Sequence, residues 1–447
     1  MNKNFKFTLL AAIFTLTFNL AAVAEDPDGF WLNAAPGNLQ SALNQAAWLR
    51  PQNAVYYELD VDSANDNLSL APPEFGESDT YFYLPIDLEN TFGKFKITTI
   101  ATMHPNLAAE FPEIRTYRGT LVGNRQITAR ITTSPLGMQV IINNPLKEKL
   151  GIAPISKNNT AVYALYDANE QLADEVASGP AFECKIDQVT QQANNNNNNG
   201  SGSNPLAIDP DENFSNGSKL RTFRVAFGAD SAFTTHYGSR NLAMAGIVDG
   251  VNKLNNIYEC DIAVRLIIAE QQFDLISEPN DPENDPFDLV DMNNGCGEEV
   301  TDIINSLIPN TDYDCGHLLS GLGPFSGCAG SIGNVCDEAE KGHGYSRSAN
   351  PSAGAFWNVL VSHELGHKFG AQHTWNGGDR PEPFWADAAY ETGSGSTIMS
   401  YAGIVSPSDN LQPSSDPHFL VFSIEEMVNY MEESAGCSND QTLNNTF

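Results

Sequence analysis

The densest chemistry in the chain lies in thirteen residues, Val361-Ser362-His363-Glu364-Leu365-Gly366-His367-Lys368-Phe369-Gly370-Ala371-Gln372-His373. On a helix, residues four apart share a face, so His363 and His367 present both imidazoles the same way. Two such nitrogens at about 2.0–2.1 Å is how zinc is gripped, and a catalytic zinc keeps one position open. Gly370 lets the backbone leave the helix with positive φ, and His373 then swings back as a third nitrogen ligand. Glu364 stands beside these ligands, placed to take a proton from water rather than to bind the metal. A satisfied helix that happens to contain histidines would explain one of them, but not the five matched positions together. The expectation is a hydrolytic zinc site with His363, His367 and His373 as ligands and Glu364 as general base.

The elements around this stretch must position it. Phe223, Val225 and Phe227 alternate as in a half-buried strand, and Met244, Ile247, Val248, Val251 and Leu254 recur at helical spacing. Ile262, Val264, Leu266 and Ile268 alternate again, which gives strand–helix–strand. Ser423-x-x-Glu426 reads as a capping box opening a helix with Ile424, Met427 and Met431 on one face. Strands interleaved with helices predict an α/β domain from about residue 219 to 447. The remaining histidines there (His236, His317, His343 and His418) lack mutual ligand spacing and read as structural or surface residues. The acidic run Asp281 to Asp288 offers oxygens to calcium, but it lacks an EF-hand pattern, and a solvated loop is the preferred reading.

Upstream, Gln191-Gln192-Ala193, six asparagines and Gly200-Ser201-Gly202-Ser203 have nothing to bury. Residues 191–218 therefore read as a flexible, protease-accessible linker. Before it, residues 25–190 carry short alternating runs such as Thr80 to Leu84, Phe95 to Ile100 and Met138 to Ile142, a mostly β domain without a catalytic cluster. Its one histidine is His104. Residues 1–24 look like a signal peptide: Lys3 and Lys6, an uncharged run from Phe7, and Ala22-Val23-Ala24 as the cleavage site. An uncleaved anchor is the alternative, and cleavage the preferred reading. The product is then secreted, with the periplasm as the other destination, and soluble, with no membrane partner after signal cleavage.

With 23 Lys+Arg against 56 Asp+Glu, a formal net charge of −33, the chain would be repelled by a phosphate backbone, which excludes a nucleic-acid partner. A monomer is expected. Export makes the seven cysteines interpretable. Six of them, Cys260, Cys296, Cys315, Cys328, Cys336 and Cys437, are expected to pair in an oxidising compartment, in any of fifteen ways. Cys184 stands apart.

His363-Glu364-x-x-His367-x-x-Gly370-x-x-His373, followed by Ser396-Thr397-Ile398-Met399-Ser400-Tyr401, resembles a metzincin peptidase with its methionine turn. Leu220 to Arg224, Cys328 to Cys336, and Ser415 to Phe419 with Ser423 to Glu426 are similar to bacterial secreted reprolysin-like, adamalysin-related members. The resemblance implies a catalytic domain with a mixed five-stranded sheet and an active-site helix, over a cleft, preceded here by a propeptide. It also implies protein or peptide substrates, extended along an edge strand at Gly330, Ser331 and Ile332. Met399 would form the floor beneath the histidines. Two positions depart from the reprolysin pattern: Thr374 stands where Asp is usual, and Tyr401 follows Met399 by two, as in astacin- and serralysin-like members. Tyr401 is then either a zinc ligand or oxyanion donor, or a ring that only packs under the metal.

The whole reads as a secreted zinc endopeptidase made as a latent zymogen. Isolated before the linker, Cys184 is the candidate latency switch, similar to the switch cysteines of matrix metalloproteinases and adamalysins although its neighbours Phe182-Glu183-Cys184-Lys185 differ. The alternatives are a disulfide from Cys184 to a later cysteine, an inactive metzincin-fold binding or adhesion module, and a zinc hydrolase acting on a non-peptide substrate. Intact Glu364 argues against the binding module.

Overall fold

The computed structural model describes residues 26–443 apart from 146–148, 158, 170–182, 185–217, 378–386 and 406–407, and the backbone alone of Ala22–Val23 and Glu183–Cys184. Nearly all of the expected signal segment and of the asparagine-rich linker thus lies outside the described residues.

Among the described residues, ten strands between Ala22 and Asp167 form one sheet whose neighbours pair antiparallel. Alternation drives it. In Tyr81–Pro85 the side chains of Phe82 and Leu84 are buried while Tyr81 and Tyr83 are half-buried. The inward residues, including Trp31, Tyr57, Phe82, Phe95, Tyr117 and Tyr163, form this domain's own core.

The second sheet runs in the order Ser326–Cys328, Tyr345–Arg347, Cys315–Ser320, Lys219–Ala229, Val264–Ile268. It is parallel except for Ser326–Cys328, which pairs antiparallel with Tyr345–Arg347. This is a mixed five-stranded sheet, flanked by Asn439–Thr442 against the start of Lys219–Ala229. Ile262, read as strand from its alternation, instead closes the helix Arg240–Ile262, and the left-handed Ala263 (φ 52°) makes the turn into Val264–Ile268. That helix begins at Ser239, whose side chain accepts from Leu242 N. It is buried nearly all round, because the sheet covers one side and the N-terminal domain another. No helix among the described residues is long and apolar enough to cross a membrane.

The two sheets are joined through the back of this helix. Asn252 Nδ2 donates to Ile131 O (3.2 Å) and Thr132 Oγ1 (3.0 Å). Ile268 N donates to Thr102 O and His104 N donates to Ile268 O, both at 2.9 Å, so the N-terminal domain caps the free edge of Val264–Ile268. Below this edge lies a buried ionic chain. Glu74 grips Arg265 with both oxygens (2.6 and 3.0 Å), Arg265 Nε donates to Glu259 (2.6 Å), and Arg130 donates to the other Glu259 oxygen (2.5 Å).

Four of the six later cysteines form disulfides, Cys296–Cys328 and Cys336–Cys437. The expectation that all six pair is corrected: Cys315 lies in the buried central strand and Cys260 at the surface, and both are free thiols. The first bridge fixes the edge strand, and the second ties the chain after the last helix to the loop that follows that strand.

Burial pushes the Glu259 carboxyl up, but Arg130 and Arg265 outweigh it and bring it down to about 2. Its folded-state value is thus depressed, so its contribution is fully present above the ordinary 4.5 and is lost as pH falls towards 2. Glu259→Gln should cost about 3 kcal/mol in urea denaturation of the full chain at pH 7, and progressively less below pH 4.5. An equal cost at both ends of that range would contradict the clamp.

Candidate metal centre

The segment Phe356–Val361 is π-helical and runs directly into the α-helix Ser362–Lys368, a widened turn of the kind that recurs at functional sites. Two bonds anchor the junction. Ser362 Oγ donates to Asn358 O (2.6 Å), and Tyr258 Oη, from the long helix, donates to Ser362 O (2.8 Å). Gly370 takes φ 106°, and a Cβ there would lie 2.8 Å from Tyr430 Cβ, so the chain turns sharply and returns His373 towards the helix.

The result is a triangle of imidazole nitrogens. The Nε2 atoms of His363, His367 and His373 stand 3.1, 3.1 and 3.0 Å apart. The Nδ1–H of His363 donates to Ile398 O and that of His367 to Ala371 O, both at 2.7 Å, which leaves each Nε2 with its lone pair pointing inward. Burial, then the neighbouring His373 and His363, hold His367 well below the usual imidazole range, so it is neutral. Three nitrogens on a tetrahedral zinc at 2.0–2.1 Å would be roughly 3.3 Å apart. The donor set and its spacing fit that ion, and among the described residues it is the one cluster of its kind.

Met399 lies under the helix: a Cβ on Gly366 would meet its Sδ at 2.5 Å. Tyr401 is fully buried, its ring centroid 4.6 Å from that of His373 and 5.1 Å from Trp375, on which it stacks. Glu364, next to His363 in sequence, is buried and packs against the edge strand, where a Cβ on Gly327 would lie 2.5 Å from its Oε1. Only glycine lets this strand pass so close to the carboxylate.

That strand is Ser326–Cys328, and the expected position at Gly330, Ser331 and Ile332 is corrected. Gly330 and Gly333 take φ 81° and 75°, and residues 330–333 bend away after the strand ends at Cys328. Gly327 was missed because nothing local distinguishes it from the nearby Gly330. The capping box is also corrected: the last helix starts at Val421 after Leu420, with no side-chain cap. Glu426 instead accepts from Gln372 N (3.0 Å) and Nε2 (2.7 Å), bracing the residue before His373. Burial pushes this carboxyl up to about 7.

Calcium finds no support in the acidic run. Asp285 accepts from Ser231 N (2.6 Å), Ser277 Oγ (2.7 Å) and Phe287 N (2.9 Å), and Asp281 from Asn284. His317 and His236 are each bonded to a serine, Ser346 and Ser352, at 2.9 Å and take no part in the centre. The backbone of Glu183–Cys184 pairs parallel with the outer side of the edge strand, Glu183 opposite Ser326 and Cys184 opposite Gly327.

No curated protein matches the chain. Among solved structures, a metalloproteinase-II from Bacteroides fragilis is similar over 79% of this chain and 92% of its own, at 11% identity and a TM-score of 0.43. Residues 219–430 match the family described as Metallo-peptidase family M12B, Reprolysin-like. This matched segment carries the three histidines, and the chain is similar over it to reprolysin-like metallopeptidases.

Proposed function

We propose that the chain is the latent precursor of a secreted zinc endopeptidase. The observation that carries this reading is the nitrogen triangle, together with the buried Glu364, next to His363 in sequence, packed against Gly327 of the edge strand. His363, His367 and His373 would hold zinc, which when bound would supply a Lewis acid to polarise the scissile carbonyl and acidify water. An extended peptide adds to the outer side of Ser326–Cys328, main chain to main chain. Glu364 takes a proton from the attacking water, whose oxygen bonds to the carbonyl carbon. It returns that proton to the amide nitrogen as the C–N bond breaks. In this reading Tyr401, whose ring packs against His373, donates to the developing oxyanion.

Latency is supported by the same edge. The backbone of Glu183–Cys184 occupies the side of Ser326–Gly327 that a substrate needs, and His363, Glu364, His367 and His373 are each no more than 1% exposed in the intact chain. A thiolate is a strong zinc ligand, and the backbone of Cys184 pairs opposite Gly327, the residue against which Glu364 packs. Residues 25–190 then act as a propeptide, freed by cleavage within 191–218.

Activated protein should hydrolyse casein or gelatin, lose that activity to chelators and regain it with zinc. Absence of hydrolysis would favour a binding module. Glu364→Gln should keep zinc but lose about 10²–10⁴-fold in kcat, and retention of more than about a tenth would contradict the general-base role. Uncleaved Cys184→Ala precursor should digest casein measurably faster than the uncleaved wild type; equal rates would end the switch reading.

A further inference from the structure

We propose that Glu391 is the positioning residue of this metal centre, holding two separate chain segments that fix His373 and His363. The inference rests on the reading that these histidines carry zinc. The Glu391 carboxylate receives donors from both segments. Its Oε1 accepts Ser396 N (2.8 Å) and Thr397 N (3.1 Å), and its Oε2 accepts Thr397 Oγ1 (2.6 Å) and Thr374 Oγ1. The backbone repeats the connection, since Glu391 N donates to Thr374 O (2.8 Å) and Thr374 N donates to Met399 O (3.1 Å).

Each donor borders a part of the centre. Thr374 follows His373 directly. Ser396 and Thr397 precede Ile398, whose carbonyl orients His363 through Nδ1, and Met399, which forms the floor. One carboxylate therefore sets the distance between a ligand and the carbonyl that aims a second ligand. His367 is oriented separately, by Ala371 O. The room for this arrangement is made by Gly395, where φ is 69° and a Cβ would lie 2.9 Å from both Cβ and Cδ of Glu391. Thr374 and Thr397 are buried, so loss of the carboxylate would leave their hydroxyls and two backbone N–H groups to find new partners away from bulk water.

Groups that orient metal ligands typically govern affinity by 10–100-fold. The test is zinc affinity of the full chain, by competition with a chromogenic chelator, alongside the urea stability of the zinc-free protein. Glu391→Ala should weaken zinc binding by about 10–100-fold. Glu391→Gln keeps an acceptor for the two backbone N–H groups and offers its amide to the hydroxyls, so it should stay within about threefold of wild type. Thr374→Val removes only the bond beside His373, and at least a threefold loss is expected, which keeps the test decisive if Glu391→Ala does not fold. Unchanged zinc affinity in Thr374→Val, or in a folded Glu391→Ala whose zinc-free stability alone falls, would overturn the proposal. A wild-type chain that binds no zinc would overturn the metal reading itself, and this proposal with it.

Discussion

Three buried imidazole nitrogens about 3 Å apart are the constraint on which the site depends. The Nε2 lone pairs of His363 and His367 are turned inward, and they repel unless a cation sits between them. Burial keeps His367 from taking a proton to relieve the crowding. The surrounding chain works to maintain this unfavourable arrangement. Ile398 O and Ala371 O fix the ring orientations, Gly370 permits the return of His373, and Gly366 admits Met399 beneath the helix. Glu426 braces Gln372 just before the third ligand. Much of the domain's local irregularity, from the π-helical turn to the run of positive-φ glycines, converges on this one place.

The N-terminal domain engages the C-terminal domain on two sides at once. At the rear it caps the free edge of the sheet and buries the Glu74–Arg265–Glu259–Arg130 chain. At the front, Glu183–Cys184 reaches the opposite edge of the same sheet. The two edges differ in kind. The rear edge is closed by ionic and main-chain bonds, whereas the front edge carries Gly327 and the carboxylate beside it. In the proposed account, a segment bound along the front competes directly with substrate, while the rear contact anchors the domain that delivers it.

The histidine cluster was legible from the sequence for a physical reason: the three histidines and Glu364 lie within eleven residues, and helical periodicity alone brings two of the histidines together. The strand and helix patterns of Lys219–Ala229 and Arg240–Ile262 were legible because core burial imposes the period of each element. What escaped depended on contacts between distant segments. The edge strand was placed at Gly330–Ile332 because composition does not reveal which glycines adopt positive φ. Glu426 satisfied a local capping pattern, yet its carboxylate is used by Gln372, far away in the chain. Thr374 looked like a departure from the reprolysin pattern, and only the structure supplies the carboxylate of Glu391 beside it. The free thiols of Cys260 and Cys315 likewise follow from where the fold puts them, not from their number.

The central claim is a zinc ion held by the three Nε2 atoms, and X-ray absorption at the zinc edge of the purified full chain tests it most directly. The account predicts one zinc per chain with three nitrogen scatterers at about 2.0–2.1 Å and, in the uncleaved precursor, one sulfur at about 2.3 Å. Zinc well below one per chain, or a first shell of oxygen atoms without imidazole scattering, would contradict it.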